Sequence, residues 1–314
     1  MSVTTQNGAS FASPSIIGDA TPGDYFALLK PRVMSLVMWT ALAGLLCAPT
    51  PVNPIVGFAA LLAIAVGAGA AGALNMWWDA DIDALMARTR LRPVPDGRVA
   101  PGEARAFGVT LALLAVVTLA VTTNLVAAGL LAFTIFFYVV VYTMWLKRRT
   151  PMNIVIGGAA GALPPVVGYA AASGGVGIGI LSLFAVIFFW TPPHFWALAL
   201  VKSGDYARAG VPMLPNVKGA ARTRTEILVY SLILAPIGLT PWLTGLGGPL
   251  YAVAAAFGGI AMVVMAARVY RVRDGAAANR TAMQMFGFSI VYLFTLVATL
   301  IAERGAVAVV HAIG

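Results

Sequence analysis

Charge is what this sequence has least of. Asp, Glu, Lys and Arg make up 10% of its 314 residues, while 60% are hydrophobic. A water-soluble domain carries roughly 25% charged residues, so most of this surface faces something other than water. Cysteine is nearly absent too. Cys47 stands alone, which excludes an intrachain disulfide, and its apolar neighbours mark it as a small packing residue. The first 29 residues hold no Lys or Arg. Without a basic segment ahead of an apolar one, they do not read as a cleavable signal peptide. Their Ser, Thr, Gly and Ala content predicts a disordered tail over 1–29, ending in a short interfacial helix near Tyr25 to Leu29. The net charge of +9 would suggest nucleic acid in a soluble protein. Here, arginine and lysine that set membrane topology account for it, and no nucleic-acid partner is expected.

What the sequence does have is long apolar runs. A bilayer core takes about 20 apolar residues per helix. Nine runs qualify, at about 33–49, 54–77, 106–123, 125–146, 152–172, 177–200, 226–244, 249–267 and 283–302. Thr122, Thr123 and Asn124 interrupt the third and fourth, which predicts a tight hairpin there. The expectation is an all-α polytopic membrane protein with about nine transmembrane helices. Its membrane domain spans 30–304, and a short tail follows at 305–314.

The basic residues support this count. Nineteen of the 20 Lys and Arg fall before helix 1 or after helices 2, 4, 6 and 8. Only Arg304 falls on the other side. The positive-inside rule then predicts a cytoplasmic N-terminus and four cytoplasmic basic loops, as for a multi-pass inner-membrane protein, with the C-terminal tail periplasmic. The two longest loops, about 78–105 and 201–225, share that side and follow helices four apart. This hints at two four-helix halves plus a ninth helix.

Chemistry concentrates in those two loops. In Asn75-Met-Trp-Trp-Asp79-Ala-Asp81-Ile-Asp83, the residues Asn75, Asp79 and Asp83 recur every four positions. On a helix that spacing stacks them on one face, with Asp81 pointing roughly away. Crowded carboxylates repel each other, and a hard cation such as magnesium resolves the repulsion while joining them to substrate phosphates. The same residues also describe a solvated helix end just past the membrane. Arg88, Arg90 and Arg92 follow directly and tip the balance. A diphosphate needs cationic donors to take up charge as it leaves, although topology-setting arginine remains the alternative for each. Lys202, Asp205 and Tyr206 place a second cation, carboxylate and phenol at the same face. Lys147, Arg148 and Arg149 lie there too, and either contact anions or anchor helix 4.

An Asn-x-x-x-Asp-x-x-x-Asp box after the second of nine spans resembles the UbiA superfamily of intramembrane prenyltransferases. Five further stretches narrow the resemblance to the protohaem IX farnesyltransferase family within it. They are Asp81-Ile-Asp-Ala-Leu-Met-Ala-Arg-Thr with Arg92-Pro93, Leu146-Lys-Arg-Arg-Thr-Pro-Met-Asn-Ile-Val-Ile-Gly-Gly, Gly161-Ala-Leu-Pro-Pro, Thr191-Pro-Pro-His-Phe-Trp-Ala-Leu-Ala and Asp205-Tyr-Ala-Arg-Ala-Gly-Val-Pro-Met-Leu-Pro. The similarity runs from about Asp24 to residue 300. Many superfamily members carry an Asp-x-x-x-Asp pair in the second loop, whereas here position 209 is Ala. Asp205 is then the one clear acidic ligand there, and a symmetric two-metal arrangement is in doubt.

The resemblance implies a UbiA-like bundle and a reaction of farnesyl diphosphate, haem B and water that gives haem O and diphosphate. It implies Mg2+ held by Asp79, Asp83 and Asp205, with Arg88 also catalytic. Asn75, Arg90, Arg92, Lys147, Arg148, Lys202 and Tyr206 would bind substrate. His194, a histidine at membrane depth, would serve haem through its iron or a propionate. The plainer alternative is a histidine satisfied by a neighbouring helix. Trp77, Trp78, Trp145, Trp190 and Trp196 would either shield cationic intermediates or form interfacial and core packing. The implied partners are farnesyl diphosphate, haem B, membrane lipid and a downstream haem A synthase or terminal oxidase. Other readings are a prenyltransferase for a quinone or chlorophyll acceptor, a transporter, or a haem carrier without chemistry.

Overall fold

The computed structural model describes residues 20–313, with side chains through residue 305. Most of the predicted N-terminal tail, and the His311 side chain, lie outside the described residues. Eight helical segments are long and apolar enough to cross a bilayer, and one bent helix pair brings the number among the described residues to nine. The chain is an all-helical polytopic membrane protein.

The order begins with α1 (Pro22–Leu28), α2 (Pro31–Leu46), α3 (Pro54–Trp78), α4 (Ala80–Ala84), α5 (Pro101–Thr122) and α6 (Leu125–Phe136). A π-helical turn at Phe137–Trp145 and a 3-10 turn at Leu146–Arg148 finish the fourth span. The rest are α7 (Asn153–Ala162), α8 (Pro164–Ser173), α9 (Ile178–Val201), α10 (Ser203–Arg208), α11 (Leu214–Ile237), α12 (Thr240–Leu243), α13 (Pro249–Arg271) and α14 (Gly275–Ile313).

Local sequence accounts for the helix boundaries. Proline opens α1, α2, α3, α5, α8 and α13, where its missing N–H costs nothing and its fixed φ suits the first turn. Asn53 and Asn124 cap α3 and α6, accepting from Ile55 N and Ala127 N at 2.9 Å each. Asn124 also donates to the Ala170 carbonyl at 2.9 Å, so the predicted hairpin at Thr122–Asn124 is tied to the fifth span.

The end of the stretch read as a tail is ordered. α1 has the reciprocal Thr21–Asp24 capping box, and Leu28 packs with Ala73, Met76, Val94, Val99 and Ala104. Arg98 ion-pairs with Asp24 and also bonds Asp96, which fastens α1 to the loop after α3. At the other end, α14 continues as helix through Ile313.

The first span packs on the last, since α2 touches α14 and Trp39 stacks on Phe294 with centroids 5.0 Å apart. A Cβ at Gly44 or Gly168 would strike the backbone of Pro165 or Ala41, so α2 and α8 meet backbone to backbone, as small residues allow in membranes. The lone arginine on the far side serves the fold. Arg304 donates to the Gly245 and Leu246 carbonyls at 3.1 and 2.9 Å. Its neighbour Glu303 accepts from Gly248 N at 2.6 Å and Tyr251 N at 3.1 Å, capping α13 from another helix.

Candidate active site

Asn75, Asp79 and Asp83 are all buried. The backbone remains helical across the α3–α4 junction, with Asp79 N bonding Asn75 O at 2.9 Å and Asp83 N bonding Asp79 O at 2.8 Å. The four-residue spacing therefore becomes one column of polar groups. Asp81 leaves that column, its side chain 63% exposed.

Each column member meets a cation from elsewhere. Lys30, between α1 and α2, donates to Asn75 Oδ1. Lys147 bonds Asp79 Oδ2. Arg92 donates to Asp83 Oδ2 at 2.5 Å. Arg148 grips Asp81 with two donors at 2.7 Å each, and one of its nitrogens lies 3.6 Å from Asp79 Oδ1. The Arg148 fork holds the Asp81 carboxyl below the usual carboxylate range. The Asn75 amide donates to Asp79 Oδ2 at 2.8 Å and to Thr143 Oγ at 2.9 Å, so it is oriented from three sides.

Thr143 and the two cations after it are delivered by the irregular end of the fourth span. A π-helical stretch widens the turn, a feature that recurs at functional sites. It carries Tyr138 and Tyr142 on the same stretch as Thr143. The Tyr142 ring lies so close to Gly157 that a Cβ there would collide with it. Buried Asn153 donates to the Thr150 carbonyl at 2.7 Å and steadies the turn that carries Lys147.

The second loop closes over the first. Ile82 and Met86 share a core with Ala209, Val211, Met213 and Leu214. Arg88 sits against the Tyr206 phenol, whose pKa burial raises and Arg88 opposes. Asp205 does not join the acidic column. It ion-pairs with Arg208 one turn on, and among the described residues no three His, Cys, Asp or Glu side chains are placed to hold one metal ion. Asp79 and Asp83 stand together in the column, and Asp205 stands apart from them on the second loop. α10 turns the Asp205 carboxylate toward its own helix's arginine. Arg90 and Lys202 are exposed.

The pair suits a hard cation. Asp79 Oδ1 is buried and makes no hydrogen bond, its nearest cation being the Arg148 nitrogen at 3.6 Å, and a buried carboxylate oxygen gains from a closer cation or donor.

A family model for the UbiA prenyltransferase family matches residues 37–290. The chain belongs to the UbiA prenyltransferase family. Its members include relatives much closer than the superfamily box alone implies. The chain is 66% identical to a protoheme IX farnesyltransferase of Beijerinckia indica, over 93% of this chain and 91% of that one. It is 65% identical to the protein of that name from Methylocella silvestris, over 92% of this chain and 91% of the other. The fold matches a digeranylgeranylglyceryl phosphate synthase (TM-score 0.73, 15% identity, 89% and 98% of the two chains). It also matches a UbiA homologue from Archaeoglobus fulgidus bound to GPP and Mg2+ (TM-score 0.66, 16% identity, 89% and 99%).

Several sequence-predicted residues do not join the family box. His194 lies in α9, buried against α14. Its ring is stacked between Trp190 and Phe286, with centroids 4.3 and 4.5 Å away. Trp78 and Trp145 are exposed, while Trp196 is buried against Tyr230. Sequence reading passed over Lys30, Thr143, Tyr138 and Tyr142. Lys30 looked like a topology residue, and Thr143 like a stray polar residue in an apolar run. The one local signal was Lys30-Pro31, a cation at the mouth of the first span.

Proposed function

We propose that this chain transfers the farnesyl group of farnesyl diphosphate to a vinyl group of protohaem IX, with addition of water, giving haem O and diphosphate. What carries the reading is two-thirds identity, across nine-tenths of both chains, to proteins named protoheme IX farnesyltransferase. The buried column ringed by cations supports it, because that is the equipment for a polyanionic leaving group.

The C1–O bond of the farnesyl donor breaks and its electron pair leaves with diphosphate. The terminal vinyl carbon of haem bonds to C1. Water adds to the resulting cation beside the macrocycle and gives up one proton. Lys147, Arg148, Arg92 and Lys30 stand where diphosphate oxygens would lie, and charge-assisted donors there stabilise the leaving group most as its charge grows. In the ligand-free protein these cations satisfy the carboxylates. Arg88 and Tyr206 close the site from the second loop and offer a guanidinium and a phenol. Asp79, Asp83 and Asp205 would hold Mg2+, which would offset the charge of the diphosphate. Lys202 would bind substrate from the second loop. Arg90 would meet incoming diphosphate at the surface, and His194 would serve the haem acceptor.

The basic loops support a site at the cytoplasmic face of the inner membrane. The product would pass to a haem A synthase or a terminal oxidase. The test is mass spectrometry of haem extracted from membranes that express this chain. The expected result is a farnesylated, hydrated haem. Its absence, with protein present and both substrates supplied, would sink the reading.

A further inference from the structure

His194 is held in one tautomer by a residue from another helix. Its Nδ1 lies 2.7 Å from Ser289 Oγ on α14. That hydroxyl also donates to the Phe286 carbonyl at 2.7 Å. A serine hydroxyl has one hydrogen and a carbonyl can only accept. With the hydrogen given to Phe286, the serine oxygen accepts, so Nδ1 must carry the imidazole proton. The opposite tautomer would form one hydrogen bond where this one forms two.

Nε2 is then left with its lone pair, since the side-chain hydrogen bond to Ser289 is made by Nδ1. Trp190 and Phe286 cover both ring faces, and Phe195 meets the ring edge-on with centroids 5.0 Å apart, so a ligand on Nε2 would approach in the ring plane. Trp190 Nε1 donates to the Ser289 carbonyl at 2.7 Å, which locks α9 to α14 at the same level. A ring fixed in plane and tautomer, with one in-plane lone pair free, is the arrangement that metal-ligating histidines acquire from a partner on the other nitrogen.

We propose that Ser289 is a positioning residue that holds His194 in its Nδ1–H form, so that Nε2 ligates the iron of the haem acceptor. This rests on the haem-acceptor reading above. The iron–nitrogen bond takes both electrons from Nε2 and changes no oxidation state. The Nδ1–H to serine bond makes the imidazole a stronger donor, as outer-shell acceptors do.

The experiment is resonance Raman and optical spectroscopy of the purified full-length protein loaded with ferrous haem B. An iron–imidazole stretching band is expected, and His194→Ala loses it. Ser289→Ala keeps the band but shifts it to lower frequency and raises the haem midpoint potential, because the donor weakens. Ser289→Thr restores both, which a packing role alone would not predict, since threonine is the larger side chain. Farnesyl diphosphate affinity stays unchanged in all three variants. A haem complex without the band, or a band unmoved in Ser289→Ala, overturns the assignment and leaves the haem-acceptor reading standing. Failure of the unmodified protein to bind haem at all rejects both.

Discussion

The ammonium of Lys30 lies 2.5 Å from Asn75 Oδ1, although the two residues are 45 positions apart. Lys30 makes this contact from a left-handed backbone (φ 53), the one non-glycine residue with positive φ among those described. Such a conformation is costly for a residue with a Cβ, and persists where the surroundings impose it, often at functional sites. The bend between α1 and α2, 51°, turns on this residue.

Replacing Lys30 separates backbone from charge. Lys30→Gly suits positive φ, so its thermal stability should match or exceed that of the unmodified protein. It removes the cation, and a lost charge-assisted bond of about 1.5–3 kcal/mol predicts a fall of roughly 10- to 100-fold in kcat/KM for farnesyl diphosphate. Full activity in Lys30→Gly would show that the cation does not belong to the site.

Asp79→Asn and Asp83→Asn should each cut turnover by about 100-fold or more, the scale on which electrostatic groups at a reacting centre act. Both variants should still reach the membrane folded. Asp81→Asn, at a 63% exposed side chain outside the column, should stay within about threefold, as exposed ion pairs are worth little. A steady-state transfer assay checks all three, and the expected order fails if Asp81→Asn proves the most damaging.

Thr143 orients the Asn75 amide through a 2.9 Å bond. Thr143→Val keeps the shape and removes the acceptor, leaving a buried donor short of a partner at a cost of about 1–3 kcal/mol. Activity should drop while the span remains inserted, and Thr143→Ser should recover it. Equal activity in the Val and Ser variants would mean that the hydroxyl is idle.

The two long loops should share one side of the membrane. On a Cys47→Ser background, Leu85→Cys and Val217→Cys present thiols at exposed positions. Both should react with an impermeant maleimide only when the cytoplasmic face is accessible. Reaction of the two from opposite faces would contradict the shared core of Met86 and Val211.

Helix content, the apolar centre of each span and the polar column were legible in the sequence, because each is a local property, whereas α11 and α14 begin earlier than the apolar runs at 226–244 and 283–302. Apolar run length sets a span, Asn124 and the prolines set its ends, and a four-residue repeat sets a face wherever the chain is helical. The alternation of basic loops likewise depends only on chain order. What meets across the bundle was not legible. Spans that are apolar all round carry little directional signal to say which face turns inward. The partners of Asn75 lie 45 and 68 positions away, and Ser289 lies 95 from His194. The turn of Asp205 toward Arg208, and the π-helical stretch that delivers Thr143 and Lys147, also had no sequence signature. The sequence alone thus determined a helical membrane protein of about nine spans with an acidic face at one end. Only the tertiary structure decided which cations reach that face and which nitrogen of His194 stays free, because both depend on contacts between helices far apart in the chain.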